Sequence, residues 1–233
     1  MESNAALSEK LNTAWKFFYG RGFIDGFGHI SARTAVPDQI LISPHYLGRN
    51  SKPEDFALID LDGKPIGQEA QMPSELPIHL EIYKSRPDVG SVAHFHCLYP
   101  TSFSMSPVEL RPTYFLASIF RDGIPIHPDS RLVNDAARGV ALARTLGSHR
   151  AALMKAHGIV VTGDDIVEMA ASVFILEDNA HRTWISAAMG PVEYLSDEDM
   201  AKIEPELLKT RGPYKRIWSL CEDEVRERER TGG

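Results

Sequence analysis

Two histidines one residue apart, His94 and His96 in Val92-Ala-His-Phe-His96, sit inside an otherwise apolar stretch. The segment from Val89 onward follows the Pro87-Asp88 turn signal and is too short for an amphipathic helix, which predicts a strand. Alternation along a strand puts both imidazoles on one face, about 7 Å apart at the backbone, with Phe95 and Cys97 on the other. They can converge on one ion, or each can hydrogen-bond to backbone at a partly exposed edge. A bare pair leaves both readings open, so the rest of the chain has to separate them.

The surrounding pattern is that of a folded α/β chain. Apolar residues recur at three and four positions over 5–21, ending at Gly20 and Gly22, and β-like runs follow at 29–33, 39–43 and 56–60. A helix is predicted from Ser74 to Ser85, with Ser74 as its cap and Pro77 tolerated in the first turn. Beyond the histidine strand come a short helix near 99–105, an extended piece over 112–119 and a strand-like run at 123–127. A helix over 134–146 precedes a hairpin of 151–155 with 159–162, hinged at His157-Gly158. The alanine-rich stretch from Asp165 to Met189 is a long helix closed by Gly190-Pro191, and helices at about 197–210 and 214–229 follow. Strands and helices lack a regular strand–helix–strand rhythm, so a mainly antiparallel sheet covered by helices is expected over a doubly wound parallel one. No linker-like composition divides the 233 residues, so 1–233 is read as one domain with the helices of about 197–230 as an extension.

Bulk chemistry removes several function classes. A net charge of −7 argues against a nucleic-acid surface, and the mixed-sign run at 221–230 reads as a solvated helix face. No run of about 18 apolar residues offers a membrane span, and the amino-terminal segment lacks the pattern of a secretory signal. The two cysteines, Cys97 and Cys221, fit no CxxC pattern and read as reduced thiols of a cytoplasmic protein.

Two more groups fit the chemistry of the histidine pair. Glu75 lies at the start of the helix before the strand, and His157 lies at the hinge of Lys155-Ala-His-Gly158. Three imidazoles and one carboxylate form a donor set suited to a catalytic divalent metal with a position left for substrate. Glu75 at a helix start could be a ligand at rest and a proton carrier in turnover. His79, four residues on, shares its helix face and could support it from behind. His127, His149 and His181 read as ordinary.

The motifs Gly28-His-Ile-Ser-Ala-Arg33, Ser74-Glu-Leu-Pro-Ile-His79, Asp88-Val-Gly-Ser-Val-Ala-His-Phe-His96 and Lys155-Ala-His-Gly-Ile-Val-Val-Thr-Gly163 resemble, in order and separation, those of the class II aldolase/adducin family, over roughly residues 5–190. The resemblance implies one α/β/α domain with a central, mainly antiparallel sheet. It also implies a homotetramer with active sites between subunits. Glu75, His94, His96 and His157 stand at the family's metal-binding positions, and the glutamate at its acid/base position. Tyr114 aligns loosely with a tyrosine that protonates from the neighbouring subunit in sugar-phosphate aldolases; a core or interface aromatic is the alternative.

The chain departs from the sugar-phosphate pattern in its anion loops. Where that pattern has small hydroxyl and backbone donors, this sequence has Gly28-His29, Ser43-Pro44-His45 and Pro73-Ser74. Proline removes an N–H and histidine fills space, so a tetrahedral dianion is poorly served, while a flat substrate carrying a carboxylate or phenol oxygen suits imidazoles. The resemblance is then to the family branch that decarboxylates 3-hydroxy-2-methylpyridine-4,5-dicarboxylate in vitamin B6 breakdown. That implies a carboxy-lyase with Mn2+ favoured, although the ligands also admit Zn2+ or Fe2+. Glu75, His29 or His45 would return a proton to carbon, and Ser43, Ser74, Arg33 and Arg49 would bind substrate. Arg33, Arg49 and Arg121 each have an equal reading as surface or strand-packing residues. A sugar-phosphate aldolase, epimerase or dehydratase is the alternative enzyme, and a non-catalytic adducin-like interaction module the alternative of a different class.

Overall fold

A computed structural model of the chain describes residues 2–24, 26–67 and 69–231. Seven strands form one sheet: β1 (His29–Arg33), β2 (Gln39–Ile42), β3 (Ala57–Asp60), β4 (Ser91–Phe95), β5 (Ile126–His127), β6 (Ala151–Met154) and β7 (Gly158–Gly163). Their spatial order is β3-β2-β1-β4-β7-β6-β5, and every pairing is antiparallel except that of β5 with β6. The expected mainly antiparallel sheet is therefore present, with one parallel edge.

Among the described residues seven α-helices accompany it: α1 (Asn4–Gly20), α2 (Leu76–Ser85), α3 (Leu98–Phe103), α4 (Ala136–Leu146), α5 (Ile166–Met189), α6 (Asp197–Thr210) and α7 (Gly212–Thr231). The side chains of Ser3, Asp135, Asp165 and Ser196 accept N–H bonds at the starts of α1, α4, α5 and α6, satisfying donors that a helix start leaves without partners.

Alternation in the strands sorts the core into two layers. Ile30, Ala32, Ala93, Phe95, Ile159 and Val161 point to one side, where Leu11, Trp15 and Phe18 of α1 and the apolar face of α5 cover them, with α7 packed behind on α1 and α5. Val92, Met154 and Val160 point to the other, against α2 and α4. The central strands β4, β6 and β7 are buried along their whole length, as expected of strands covered on both faces. His29, Ser31 and His94 alternate with the first set and so face the α2 side. This is the arrangement that builds the site.

Three local expectations are corrected. The helix predicted from Ser74 starts at Leu76, and its cap position is Glu75, which makes no side-chain capping bond; the Glu75 carboxylate is used elsewhere. The piece over 112–119, read as extended, turns into a 3-10 helix over Phe115–Phe120. The strand-like run at 123–127 is reduced to the two residues of β5.

Candidate metal centre

Each prospective ligand is delivered by a different local device. His94 lies in β4 directly opposite His29 of β1, and His96 follows just past the strand end. His157 projects from the tight β6–β7 turn, where Ala156 takes a left-handed φ of 52°. That conformation is costly for a residue with a Cβ. The turn is pinned by the Ala156 N–H, which donates to Ser104 Oγ at 2.9 Å. Glu75 enters from the head of α2, and its Oε1 accepts the Val133 N–H at 2.9 Å.

The four donors meet. Glu75 Oε2 lies 3.5 Å from His94 Nε2 and 3.4 Å from His157 Nε2, and ligand atoms of Glu75, His94, His96 and His157 all fall within 4.8 Å of one another. Ligand atoms bound tetrahedrally at about 2.0–2.1 Å from one cation would be about 3.4 Å apart. The three imidazole centroids are 5.0 to 5.2 Å from each other, with rings turned edge to face rather than stacked.

Electrostatics point the same way. His94 Nδ1 donates to the Ile159 carbonyl at 2.9 Å, so its proton is spent there and Nε2 is the nitrogen that faces Glu75. That Nε2 is buried and has no hydrogen-bond partner. A bare imidazole nitrogen set against a carboxylate oxygen in a closed space needs a positive charge between them. Burial alone would raise the Glu75 carboxyl, but the adjoining imidazoles of His157 and His94, with the Val133 N–H, outweigh it and hold the carboxyl far below the usual carboxylate range. A divalent cation fits this donor set in kind, number and spacing.

Behind the ligands lies a second buried group. The His29 ring packs 5.0 Å from that of His94, tilted by 31°, and His29 Nδ1 is 2.6 Å from His79 Nε2. Burial first, then the neighbouring imidazoles, pushes the His29 pKa well below the ordinary histidine value; the same causes, burial and then His94, push His79 down to about 3. His79 Nδ1 lies 2.6 Å from Ser31 Oγ, which lies 2.9 Å from Tyr83 Oη. Ser31 and Tyr83 were not singled out from the sequence. The signal for both was there in the spacing: Ser31 is two residues from His29 on one strand, and Glu75, His79 and Tyr83 are four apart on one helix face.

The remaining candidates are dispersed. The register Ser31↔Ile42 carries Pro44 and His45 alongside His29, and the His45 N–H donates to the Gln71 carbonyl at 2.7 Å. Exposed His45 and Ser74 thus lie at the same end of the sheet as Glu75, although among the described residues no hydrogen bond joins them to the ligands. Ser43 is fully buried, and its Oγ accepts the Ile30 N–H at 3.0 Å, tying β2 to β1. Arg33 is at the far end of β1, its guanidinium bonded to the carbonyls of Val89, Tyr83 and Arg86 and lying over the Tyr83 ring. Arg33 thus holds strand to helix at the end of the sheet away from this chain's cluster. Arg49 lies over the Tyr19 ring and lines a cleft of about 540 Å³ with Lys16 and Arg228 on the α1/α7 side, so it too is removed from the site. Arg121 pairs with Glu204 at 3.1 Å. Tyr114 packs under the Arg182 guanidinium, 4.6 Å away, with its hydroxyl buried and without a hydrogen-bond partner; no contact joins it to this chain's own ligand cluster among the described residues.

Comparison with known proteins agrees with this architecture. Over 221 residues the chain is 25% identical to 3,4-dihydroxyphthalate decarboxylase of Arthrobacter keyseri, covering 88% of each protein. It is 26% identical to 3-oxo-tetronate 4-phosphate decarboxylase of Haemophilus influenzae, covering 87% of this chain and 98% of that one. Among solved structures it resembles L-fuculose 1-phosphate aldolase from Glaciozyma antarctica, with a TM-score of 0.83 at 23% identity over 96% of this chain and 91% of the other. The four converging donors and both core layers fall within or beside residues 9–184, and those residues match the Class II Aldolase and Adducin N-terminal domain, so the chain belongs to that family.

Proposed function

We propose that the protein is a divalent-metal-dependent carboxy-lyase acting on a hydroxylated aromatic dicarboxylate, with 3-hydroxy-2-methylpyridine-4,5-dicarboxylate as the leading substrate. The observation that carries the reading is the convergence of Glu75 with His94, His96 and His157, with the buried imidazole of His29 packed against it. Relatives named as 3,4-dihydroxyphthalate decarboxylase support the substrate class. Both compounds carry two adjacent carboxylates and a hydroxyl next to one of them on an aromatic ring.

In decarboxylation the carbon–carbon bond to one carboxylate breaks, CO2 leaves, and its electron pair stays on the ring carbon until a proton replaces it. A divalent cation, Mn2+ by preference and Zn2+ or Fe2+ as alternatives, supplies the Lewis acidity that draws off this charge. Glu75, His94, His96 and His157 hold it, and the ionised Glu75 carboxylate offsets part of its charge. His29, on the adjoining strand, orients the substrate's oxygen atoms. In this reading Glu75, His29 or His45 carries the returning proton. His45 and Ser74, in the loops beside them, close on the substrate's second carboxylate.

The active assembly in this reading is a cytoplasmic homotetramer with its active sites between subunits, and Tyr114, whose hydroxyl is buried under Arg182, packs as a core aromatic. Support comes from free Cys97 and Cys221 and from exposed Leu98, Phe115 and Trp184. No helix among the described residues is long and apolar enough to cross a membrane.

The test is metal analysis of protein purified without chelator, followed by incubation with the pyridine dicarboxylate and with 3,4-dihydroxyphthalate while CO2 is measured. Release from either, lost on chelation and restored by Mn2+, is the expected result. No release from both, with turnover of a sugar phosphate, would move the protein to the aldolase reading, which the phosphorylated substrate named for one relative keeps in view.

A further inference from the structure

We propose that a buried hydrogen-bonded chain from Tyr83 through Ser31 and His79 locks His29 as the neutral tautomer with its proton on Nε2, making it a fixed donor to the substrate. The tautomer follows from the fold alone. Its use as a donor rests on the function proposed above.

The chain is assembled by two periodicities. Strand β1 sends His29 and Ser31 to the α2 side, and α2 brings His79 and Tyr83 down one face onto them. The contacts run His29 Nδ1 to His79 Nε2 at 2.6 Å, His79 Nδ1 to Ser31 Oγ at 2.6 Å, and Ser31 Oγ to Tyr83 Oη at 2.9 Å. The four residues are between 0% and 6% exposed, so bulk solvent does not reach these bonds.

Only one direction of donation gives the buried phenol proton an acceptor. Tyr83 Oη meets Ser31 Oγ and the Val92 backbone N–H, and of these only Ser31 Oγ can accept a proton. The phenol proton must go there, because a buried O–H without an acceptor is costly whereas an unused oxygen lone pair is much less so. Ser31, already accepting, gives its own proton to His79 Nδ1. His79 is then bare at Nδ1 and carries its proton on Nε2, which it donates to His29 Nδ1. His29 is in turn bare at Nδ1, and its remaining proton sits on Nε2, at the ring edge turned away from His79.

Two consequences bear on the site. With its Nε2 protonated, His29 cannot ligate a metal, which explains why an imidazole only 5.0 Å from the His94 ring stands outside the ligand cluster. His29 also presents a neutral donor rather than a second positive charge, which suits a carboxylate or phenol oxygen that must stay close to the cation. Ser31, His79 and Tyr83 act through His29 and are positioning residues.

The test is long-range proton–nitrogen NMR on histidine-labelled protein loaded with diamagnetic Zn2+, with signals assigned from His29→Asn and His79→Asn. The expected spectrum of the unmutated protein has His29 and His79 both protonated at Nε2 and bare at Nδ1. In Ser31→Ala the donor to His79 Nδ1 is gone, and both rings should move to averaged, mixed-tautomer shifts. A proton on His29 Nδ1 in the unmutated protein, or an unchanged tautomer pair in Ser31→Ala, overturns the proposal. The unmutated spectrum decides even if the variant does not fold. With CO2 release as readout, Ser31→Ala should lower kcat about tenfold at unchanged metal content, and an undiminished kcat removes the donor role. If the unmutated protein releases no CO2 from either dicarboxylate, the proposed function and the donor role fall together while the tautomer result stands on its own spectrum.

Discussion

His94 has one ring nitrogen committed to the Ile159 carbonyl and the other aimed at Glu75, so its removal takes away a ligand and leaves the carboxylate facing a hole. His94→Ala should lose metal by more than the roughly 10–100-fold that follows loss of an outer-sphere partner. Metal content per chain is expected to fall from near one to near zero while circular dichroism stays unchanged; retained metal would show that the ion sits elsewhere. A second residue with a distinct signature is Glu177 of α5, whose Oε2 is buried without a hydrogen-bond partner. Burial raises its pKa to about 7, against a smaller opposing effect of the Tyr99 backbone N–H. The folded state thus holds a proton that the unfolded chain releases near pH 4.5, so stability is full below that pH and declines as pH rises to about 7. The shift corresponds to about 3 kcal/mol. Glu177→Gln should keep the low-pH stability and lose this decline; denaturant melts at pH 5 and pH 8 that differ equally in both proteins would refute it.

Among the elements, the β6–β7 hairpin has the least room for change. A Cβ added at Gly158 would stand 2.4 Å from the Phe95 carbonyl and 3.0 Å from the His96 ring, so backbone would have to give way between two ligand-bearing segments. Gly158→Ala is expected to cost about 1–3 kcal/mol, read as a lower melting temperature, and to reduce metal affinity as well; a melt unchanged within error would show that β7 can slide freely against β4. This hairpin, the histidine strand and the convergence of the four side chains were legible in the sequence because each part is local: alternation sets the face of His94 and His96, and a turn sets His157. The misread elements lacked such a signal. Phe115–Phe120 is a short apolar run that periodicity cannot assign, and here it winds into a 3-10 helix. Ser74 has the chemistry of a cap, yet α2 starts one residue after Glu75 because that carboxylate is drawn to Val133 and the histidines. The link of Ser31 to Tyr83, and the commitment of Arg33 to three carbonyls, depend on how α2 lies across the sheet. That packing has no trace in local spacing.

At the scale of the whole molecule, the family match stops at residue 184 while α6 and α7 continue beyond it. These helices are built into the core: Tyr214, Ile217, Cys221 and Val225 of α7 are buried in the layer that α1 and α5 share. Arg211 pairs with Asp165 at 2.7 Å, and Arg150 bonds to the buried Glu168. One cooperative melt is therefore expected, and deleting residues 197–231 should expose enough apolar surface to abolish soluble folding. What the helices leave uncovered lies on α3 and the end of α5. There Tyr99 stacks on His181 with ring centroids 4.1 Å apart and lies beside Trp184, with Leu98 at 69% and Trp184 at 55% exposure. Adjoining exposed apolar groups of this size mark interaction surfaces, and in the proposed tetramer a second copy covers them. A Leu98→Glu, Trp184→Glu double variant should then sediment as smaller species with its metal content per chain unchanged, since the four converging donors come from one chain. Because the active sites in that reading lie between subunits, CO2 release should fall at least tenfold with the assembly, and full activity in a sedimenting monomer would show that each chain works alone.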